Sequence, residues 1–239
     1  NPMSNYGHIY MESMRIYNTP KPDSWMNDYA LSEDFDRGSD YNPAHGQTDS
    51  LFFWNSICTG QGILRVSTDH NQMTWEYQES LHIKCNANKK AWVKSPIWNY
   101  GGGATDDMYI VWFYLPSNAD LNFFHILYTG DINIVASGKQ SDNNLRLVWY
   151  YKGGDGQFHS YFLAQQLSVS HWYRLAVIVH HSAVPQQIVY DVYLDHAKCN
   201  QNYLTRNDYG DYWELYLGID SAVQANYGEV YFDDIKFVV

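Results

Sequence analysis

Residues Gly228–Val239 read GEVYFDDIKFVV, and their pattern gives the first indication of the fold. This segment is rich in the β-branched and aromatic residues that favour strands, and it carries two adjacent carboxylates, Asp233 and Asp234. A similar pattern occurs near the start of the chain, where Gly7–Tyr17 reads GHIYMESMRIY. When the two glycines are aligned, Glu12 matches Asp233. We therefore predict that the opening and closing strands lie side by side and close the fold.

The alternation of side chains along a strand assigns these carboxylates to a face. The predicted core face of the closing strand carries Tyr231, Asp233, Ile235 and Phe237, and Glu12 lies on the matching face of the opening strand. A carboxylate among core residues is costly unless it is paired, hydrogen-bonded or bound to a metal. Two such carboxylates brought together favour a cation between them.

A structural calcium ion therefore follows as a prediction, with Glu12, Asp233 and Asp234 as ligands. Calcium suits the site because it accepts six to eight oxygen ligands in loose geometry. The competing interpretations are a hydrogen-bonded carboxyl pair that shares a proton, and ion pairs with Arg15 and Lys236.

The composition indicates an aromatic, acidic β-protein. Aromatic residues make up 17% of the 239 residues, which argues against disorder, and the length suits one sandwich domain over residues 1–239. The net charge of −11 argues against nucleic acid or an anionic membrane as the main partner, and no apolar run reaches membrane-spanning length. We expect a secreted monomer.

The three cysteines, Cys58, Cys85 and Cys199, lack the spacing of a metal site. They fit either buried free thiols or one disulfide with a thiol left over. For a secreted protein we favour a Cys58–Cys85 bridge, although the sequence does not fix the pairing.

Short strands separated by turns fill most of the chain. Residues 18–60 are rich in Pro, Gly, Asp and Asn and are predicted to be mostly loop. From Gly62 onward, apolar and aromatic segments alternate with turns such as NYGGGATDD at 99–107 and KGGDGQ at 152–157, and no long segment has a helical period. This pattern predicts a sandwich of two antiparallel sheets with under a tenth of the residues in helix.

The order of these strands resembles the concanavalin-A-like jelly roll. The resemblance covers roughly residue 90 to the end and rests on AWVKSPIW at 91–98, HWYRLAVIVHHS at 171–182, VYDVYLD at 189–195 and the closing strand. Laminin-G-like modules, legume-type lectins and several polysaccharide lyases share this fold, so the resemblance implies an all-β jelly roll with a carbohydrate partner. The closing strand also resembles that of jelly-roll carbohydrate-binding modules, which implies a structural calcium near the termini.

Alginate lyases of this group carry three motif strands, and none is intact here. Lys94 stands where their Arg-x-Glu strand would lie, and Ile126 and Tyr128 stand where Gln and His of the second strand would lie. The third strand, Tyr-Phe-Lys-Ala-Gly, keeps only Gly218, with Tyr216 nearby. These departures count against an alginate lyase proper and leave open a more distant lyase, such as the fungal glucuronan lyases. The Glu-x-Asp-x-x-Glu strand of glycoside hydrolases with this fold does not occur.

β-Elimination on a uronate polymer needs a base, a group that neutralises the carboxylate and an acid for the leaving oxygen. The candidate catalytic residues are Lys94, His125, Tyr128 and Tyr216. Simple alternation puts His125 and Tyr128 on opposite faces, so only one of them would reach the groove unless a bulge intervenes. The alternative role of Tyr128 and Tyr216 is to pack as part of the groove wall.

The candidate substrate-binding residues are three aromatics and one cation: Trp92, Trp149, Tyr151 and Arg65. Alternation places Trp149 and Tyr151 on one face of their strand, and Trp92 on the same face as Lys94. Flat aromatic rings can stack on sugars, and core packing is the alternative for Trp149. Arg65 would join Lys84 and Lys94 in a basic patch for an acidic substrate.

Two function classes follow from these residues. The first is a polysaccharide lyase that cleaves a uronic-acid-containing polysaccharide by β-elimination in a concave groove. The alternative is a non-catalytic, lectin-like carbohydrate-binding module. A third possibility is a piece of a larger adhesive protein, in which the opening strand would close a preceding repeat.

Overall fold

A computed structural model describes residues 29–33, 55–70, 79–95, 98–99, 107–129, 132–138, 144–153, 155–181, 188–199, 203–205, 212–213, 215–222 and 225–238. Within these ranges the chain forms eighteen strands and no helix, which confirms the all-β prediction. In chain order the strands are β1 (Tyr29–Glu33), β2 (Asn55–Cys58), β3 (Ile63–Ser67), β4 (Ser80–Cys85), β5 (Ala91–Lys94), β6 (Trp98–Asn99), β7 (Asp107–Leu115), β8 (Leu121–Tyr128), β9 (Asn133–Gly138), β10 (Leu145–Lys152), β11 (Phe158–Leu167), β12 (His171–His181), β13 (Ile188–Leu194), β14 (Ala197–Lys198), β15 (Tyr203–Thr205), β16 (Tyr212–Trp213), β17 (Tyr216–Ile219) and β18 (Gly228–Val238).

These strands form two large antiparallel sheets and one small ribbon. The nine-stranded sheet has the order β14-β13-β12-β7-β18-β4-β3, with β1 added beside β18 and β15 beside β13. The seven-stranded sheet has the order β11-β10-β9-β8-β17-β5-β2, and β16 pairs with β6 separately. Strands distant in sequence are neighbours in both sheets, which is the jelly-roll sandwich predicted from the sequence.

Aromatic side chains from both sheets meet in one core between them. The rings of Phe124 on β8 and Phe232 on β18 lie 6.3 Å apart, and those of Trp149 on β10 and Tyr190 on β13 lie 5.3 Å apart. All four side chains are fully buried. Burying each contributes about 1.5–3 kcal/mol, so these contacts hold the two sheets together.

The closing strand β18 lies in the middle of the nine-stranded sheet. It pairs with β7 along one edge, and along the other edge it pairs first with β4 and then with β1. The first described strand is therefore a neighbour of the last. The opening strand predicted at residues 7–17 lies outside the described residues.

A β-bulge interrupts β18 at its two carboxylates. The register with β7 shifts after Asp233, and Asp234 has a φ of 42°. One extra residue reverses the alternation from that point on, so Ile235 and Phe237 face the core while Tyr231 and Asp233 do not. The prediction that these four residues share the core face is therefore wrong.

Five strands escaped the sequence analysis, and two of them, β14 and β15, have only two and three residues and pair with β13. β1 and β2 fall inside the segment predicted to be mostly loop, and each is short and held by a longer neighbour, β18 or β5. β9, which joins β8 to β10, was not predicted either. Short strands carry little periodic pattern of their own, because pairing and packing rather than propensity stabilise them.

The cysteines are free thiols in the structure, with Cys85 buried and Cys58 and Cys199 half-buried. Burial raises the pKa of Cys85 to about 12, and the neighbouring Cys58 adds to the effect. The favoured Cys58–Cys85 bridge is therefore wrong, and the alternative interpretation, free thiols, is the one that the structure has. Separately, none of the described residues belongs to a helix that could cross a membrane.

Candidate functional site

Six side chains form one line across the seven-stranded sheet, on the face turned away from the core, which we call the outer face. Each is the direct antiparallel partner of the next, from β5 to β11. This cross-strand row consists of Lys94, Tyr216, Tyr128, Asn133, Tyr150 and Ser160. Directly opposed residues have neighbouring side chains, so the row brings a cation, three phenols and an amide together.

The β5 end of the row carries the cation. Ala91 and Val93 are buried, whereas Trp92 and Lys94 are half-buried and face outward, as the sequence predicted for this pair. The Lys94 ammonium lies 5.2 Å from the centre of the Tyr216 ring, a cation–π contact, and the Trp92 and Tyr216 rings lie 5.5 Å apart. Lys94, Trp92 and Tyr216 therefore form one packed group.

A bulge in β8 puts His125 and Tyr128 on the same face. The register of β8 with β9 shifts between His125 and Leu127, so two consecutive residues, Ile126 and Leu127, both enter the core. The His125 and Tyr128 rings then lie 5.1 Å apart, and Tyr128 also contacts Tyr216 at 5.5 Å. Simple alternation predicted that His125 and Tyr128 face opposite sides of the sheet unless a bulge intervenes, and β8 contains such a bulge.

His125 is the most enclosed polar group of the site, with 6% of its surface exposed. Its Nδ1 lies 3.1 Å from the amide oxygen of Asn133, to which it donates a hydrogen bond when it carries the ring proton. Its Nε2 lies 3.7 Å from the Asp220 carboxylate. The imidazole beside Asp220 holds the pKa of that carboxyl below its usual range, so Asp220 is ionised at neutral pH.

Unusual backbone conformations occur beside His125. Gly218, its partner on β17, has a φ of 102°, and a Cβ there would collide with the backbone oxygen of Ala91. Phe123 has a φ of 53°, which is uncommon for an aromatic residue, and its ring contacts those of His125 and Tyr150. Such conformations are seen where the surrounding structure fixes a functional geometry.

Two predicted substrate-binding aromatics lie on the other side of their strand. Trp149 has 0% exposure, and Tyr151 packs against the same core with its ring 5.0 Å from Trp149. They do share a face, as predicted, but it is the core face. Stacking of these two rings on a sugar in the outer-face site is therefore excluded, and core packing is their role.

Arg65 lies in the other sheet. It is on β3 of the nine-stranded sheet, opposite His82, and forms an exposed ion pair with Asp69 at 3.4 Å. Lys84 is on β4 of that sheet and pairs with Glu229 at 2.7 Å. The predicted basic patch of Arg65, Lys84 and Lys94 is thus divided between the two sheets, and Arg65 cannot contribute to the cross-strand row.

The predicted calcium ligands are only partly described. Asp233 is 1% exposed and accepts a hydrogen bond from the Asp234 amide at 2.7 Å, while Asp234 forms an ion pair with Lys236 at 2.6 Å. No group of three metal-ligating side chains occurs among the described residues, and Glu12 lies outside them. These aspartates alone do not make a calcium shell. The calcium site stays a prediction, which a melting temperature unaffected by chelator would contradict.

Sequence reasoning missed two polar partners of His125. Asn133 lies on the unpredicted strand β9 and meets Tyr128 across a hairpin, and Asp220 directly follows β17. The turn residues Thr129 to Asp131 between two apolar segments were the available sign of that hairpin. Nothing local in the sequence places Asp220 beside His125, because that contact spans 95 residues and depends on sheet order.

Searches of known proteins find similar folds and no sequence family. No protein-family model matches the chain, and no curated protein matches it in sequence. Among solved structures, domain 4 of an extracellular arabinanase of glycoside hydrolase family 43 from Geobacillus stearothermophilus, in complex with arabinotriose, has 12% identity and a TM-score of 0.49, over 88% of this chain and 92% of that domain. The alginate lyase vAL-1 from Chlorella virus has 10% identity and a TM-score of 0.48, over 88% of this chain and 99% of the lyase.

A sialidase gives the same TM-score of 0.49 at 12% identity over 88% of this chain, but the chain spans only 18% of the sialidase. With TM-scores below 0.5 and identities of 10–12%, these similarities assign no family and no activity to this chain.

Proposed function

We propose that the protein is a polysaccharide lyase that cleaves a uronic-acid-containing polysaccharide by β-elimination on the outer face of the seven-stranded sheet. The observation that carries the proposal is the bulge in β8, which brings His125 and Tyr128 together beside Lys94 and Tyr216. β-Elimination requires three groups around one sugar, and this arrangement contains all three types.

His125 has the properties of the base. In the tautomer that carries its proton on Nδ1 and donates it to Asn133, the Nε2 lone pair can take the proton α to the uronate carboxylate. Taking that proton gives the ring a positive charge, which the ionised Asp220 at 3.7 Å stabilises. Asn133 and Asp220 act through His125 and are positioning residues.

Lys94 and Tyr128 supply the other two roles. The Lys94 ammonium can pair with the substrate carboxylate and so stabilise the negative charge that spreads onto it when the α proton leaves. The Tyr128 phenol, adjacent to His125, can donate its proton to the glycosidic oxygen as that bond breaks. Tyr216 contacts both Lys94 and Tyr128, so it orders the site from the centre of the row.

Formation of an unsaturated uronate gives a direct assay. The protein is incubated with a panel of alginate, polyglucuronate and polygalacturonate, and the ultraviolet absorbance of the new double bond is followed. We expect a rise on at least one polymer and a loss of about 10²–10⁴-fold in kcat for Tyr128→Phe, the range for removal of a general acid.

Tyr161→Phe is the matched control, since Tyr161 is a half-buried tyrosine packed against the core from β11 of the same sheet. It should keep wild-type turnover. Absence of any absorbance rise, with binding of a polymer retained, would contradict the lyase and leave the carbohydrate-binding module as the function. The extracellular location expected from the sequence stays a prediction under either outcome.

A further inference from the structure

The far end of the same outer face carries a group of exposed aromatic side chains. Phe158 and Phe162 lie on β11, the edge strand of the seven-stranded sheet, and are 80% and 47% exposed. They alternate with His159 and Tyr161, which are half-buried on the core side, so both phenylalanine rings face outward with the cross-strand row. Clustered exposed aromatic surface of this kind is typical of a binding site.

A cation and a phenol complete the group. Arg146 on β10 has its guanidinium carbon 5.8 Å from the centre of the Phe162 ring. Tyr150, also on β10, is a member of the cross-strand row and is linked to His125 through Phe123, whose ring lies 5.4 Å from that of Tyr150. We call Arg146, Tyr150, Phe158 and Phe162 the edge patch. It is continuous with the candidate site.

Cations lie near both ends of the outer face, and the ionised Asp220 lies between them beside His125. Among the described side chains that these seven strands direct outward, the charged ones are Lys94 and Arg146, at opposite ends of the face. The chain as a whole has a net charge of −11, so two cations here depart from the average surface. A planar guanidinium pairs with a carboxylate in a bidentate manner, and flat aromatic rings stack on the apolar face of a sugar.

The spacing of the two cations sets the length of the ligand. Across the strands, Lys94 on β5 and Arg146 on β10 are separated by four strand intervals of about 4.8 Å, or about 19 Å. Arg146 also lies four residues along β10 from Tyr150, the member of the cross-strand row, which adds about 13 Å along the strand. A single sugar ring cannot bridge that distance, whereas an acidic oligosaccharide or polymer can.

We propose that the edge patch is a distal subsite for an acidic polysaccharide, which crosses the strands from Lys94 to Arg146. Phe158, Phe162 and Tyr150 stack on sugar rings, and Arg146 binds a carboxylate several sugars away from the reacting bond. This inference rests on the proposed function for the class of ligand, and it adds that long chains are preferred over short ones.

Titration calorimetry with a polyuronate and with the trisaccharide cut from it tests the subsite. The variants are Arg146→Gln, Phe162→Ala and Phe158→Ser, the last at a position so exposed that folding should be unaffected. The control is Val169→Ala, an exposed apolar side chain just beyond β11. We expect the ratio of polymer affinity to trisaccharide affinity to fall about tenfold in Arg146→Gln and Phe162→Ala and to stay constant in the control. Arg146→Gln should also weaken the salt dependence of polymer binding.

The possible outcomes distinguish a failure of the subsite from a failure of the proposed lyase activity. An unchanged ratio in all three variants, with unsaturated product still formed, overturns the subsite and leaves the lyase. A lowered ratio without product supports the subsite and overturns the lyase, and failure to bind any polyuronate overturns both. A wild-type dimer in gel filtration that Phe158→Ser dissociates would make the patch an interface between two copies, which also overturns the subsite.

Discussion

A buried histidine beside a carboxylate lies on the outer face of each sheet, and the two pairs differ in how completely they are neutralised. On the nine-stranded sheet, His82 Nε2 lies 2.8 Å from Glu229, whose second oxygen lies 2.7 Å from the Lys84 ammonium. On the seven-stranded sheet, His125 lies 3.7 Å from Asp220, which is half-exposed. The first carboxylate is held by two partners, while the second keeps a longer, looser contact with its histidine.

The tyrosines beside the two histidines also differ in burial and packing. Tyr231 stacks on His82 with ring centres 4.0 Å apart, and burial, together with nearby negative charge, raises its pKa to about 12. Tyr128 is half-buried beside His125. The same residue types thus form a packed, neutralised network on one sheet and a looser group with a more exposed carboxylate on the other.

Removing the carboxylate of the looser pair should have a large effect on turnover. Asp220→Asn keeps the shape but removes the charge that stabilises the His125 imidazolium, so we expect kcat to fall about 10²-fold. Steady-state kinetics on the cleaved polyuronate measures the effect.

Asp191→Asn is the matched control, since Asp191 also lies beside a histidine, His180 at 3.4 Å, but on the nine-stranded sheet. Equal losses of turnover in Asp220→Asn and Asp191→Asn would show that a general loss of stability, and not the site, is responsible.

The network of His82, Glu229 and Lys84, in which both carboxylate oxygens have partners, should affect stability rather than turnover. Glu229→Gln weakens the contacts to both His82 and Lys84, and hydrogen bonds to charged groups contribute about 1.5–3 kcal/mol each in favourable settings. Because the Lys84 side chain is more than a third exposed, we expect a total decrease of about 1–3 kcal/mol in the free energy of unfolding. Denaturant unfolding measures it, and unchanged stability with lost turnover would contradict this division of roles.

Acid should weaken the same network in two smaller stages. Burial lowers the pKa of His82, against the opposing effect of Glu229, so the unfolded chain takes up a proton first and stability falls as pH drops below about 6.5. Burial raises the pKa of Glu229, but the contacts with Lys84 and His82 outweigh burial and lower it. The stabilisation due to Glu229 is therefore present above its usual pKa and is lost as pH falls through the lowered value. Unfolding curves of wild type and His82→Gln should differ in the first stage, and identical pH dependence would refute it.

The sequence predicted the sandwich but not the two bulges that decide the faces. In β8 the bulge unites His125 and Tyr128, which alternation had separated, and in β18 the bulge separates Asp233 from Ile235, which alternation had united. A bulge adds one residue without changing composition, so a period of two cannot reveal it.

The sequence also did not show which strands are neighbours in each sheet or which face of a strand is buried. The segment LRLVWYYK of β10 is apolar or aromatic on both faces, so alternation did not show that Trp149 faces the core. Arg65 and Lys94 look alike in local sequence, and only the sheet order places them on opposite sides of the molecule. By contrast, Lys94 and Trp92 were assigned to one face correctly, because β5 alternates without interruption.

Two single variants, in which one or the other buried histidine is replaced by glutamine, distinguish the catalytic histidine from the structural one when turnover and unfolding are measured for each. We predict that His125→Gln lowers kcat on the cleaved polyuronate by about 10²–10⁴-fold with little change in melting temperature. His82→Gln should lower stability by about 1–3 kcal/mol and keep kcat within about twofold wherever the protein remains folded. If His82→Gln abolished turnover in the folded state while His125→Gln kept it, the site would lie on the nine-stranded sheet. The roles assigned to the two histidines would then be wrong.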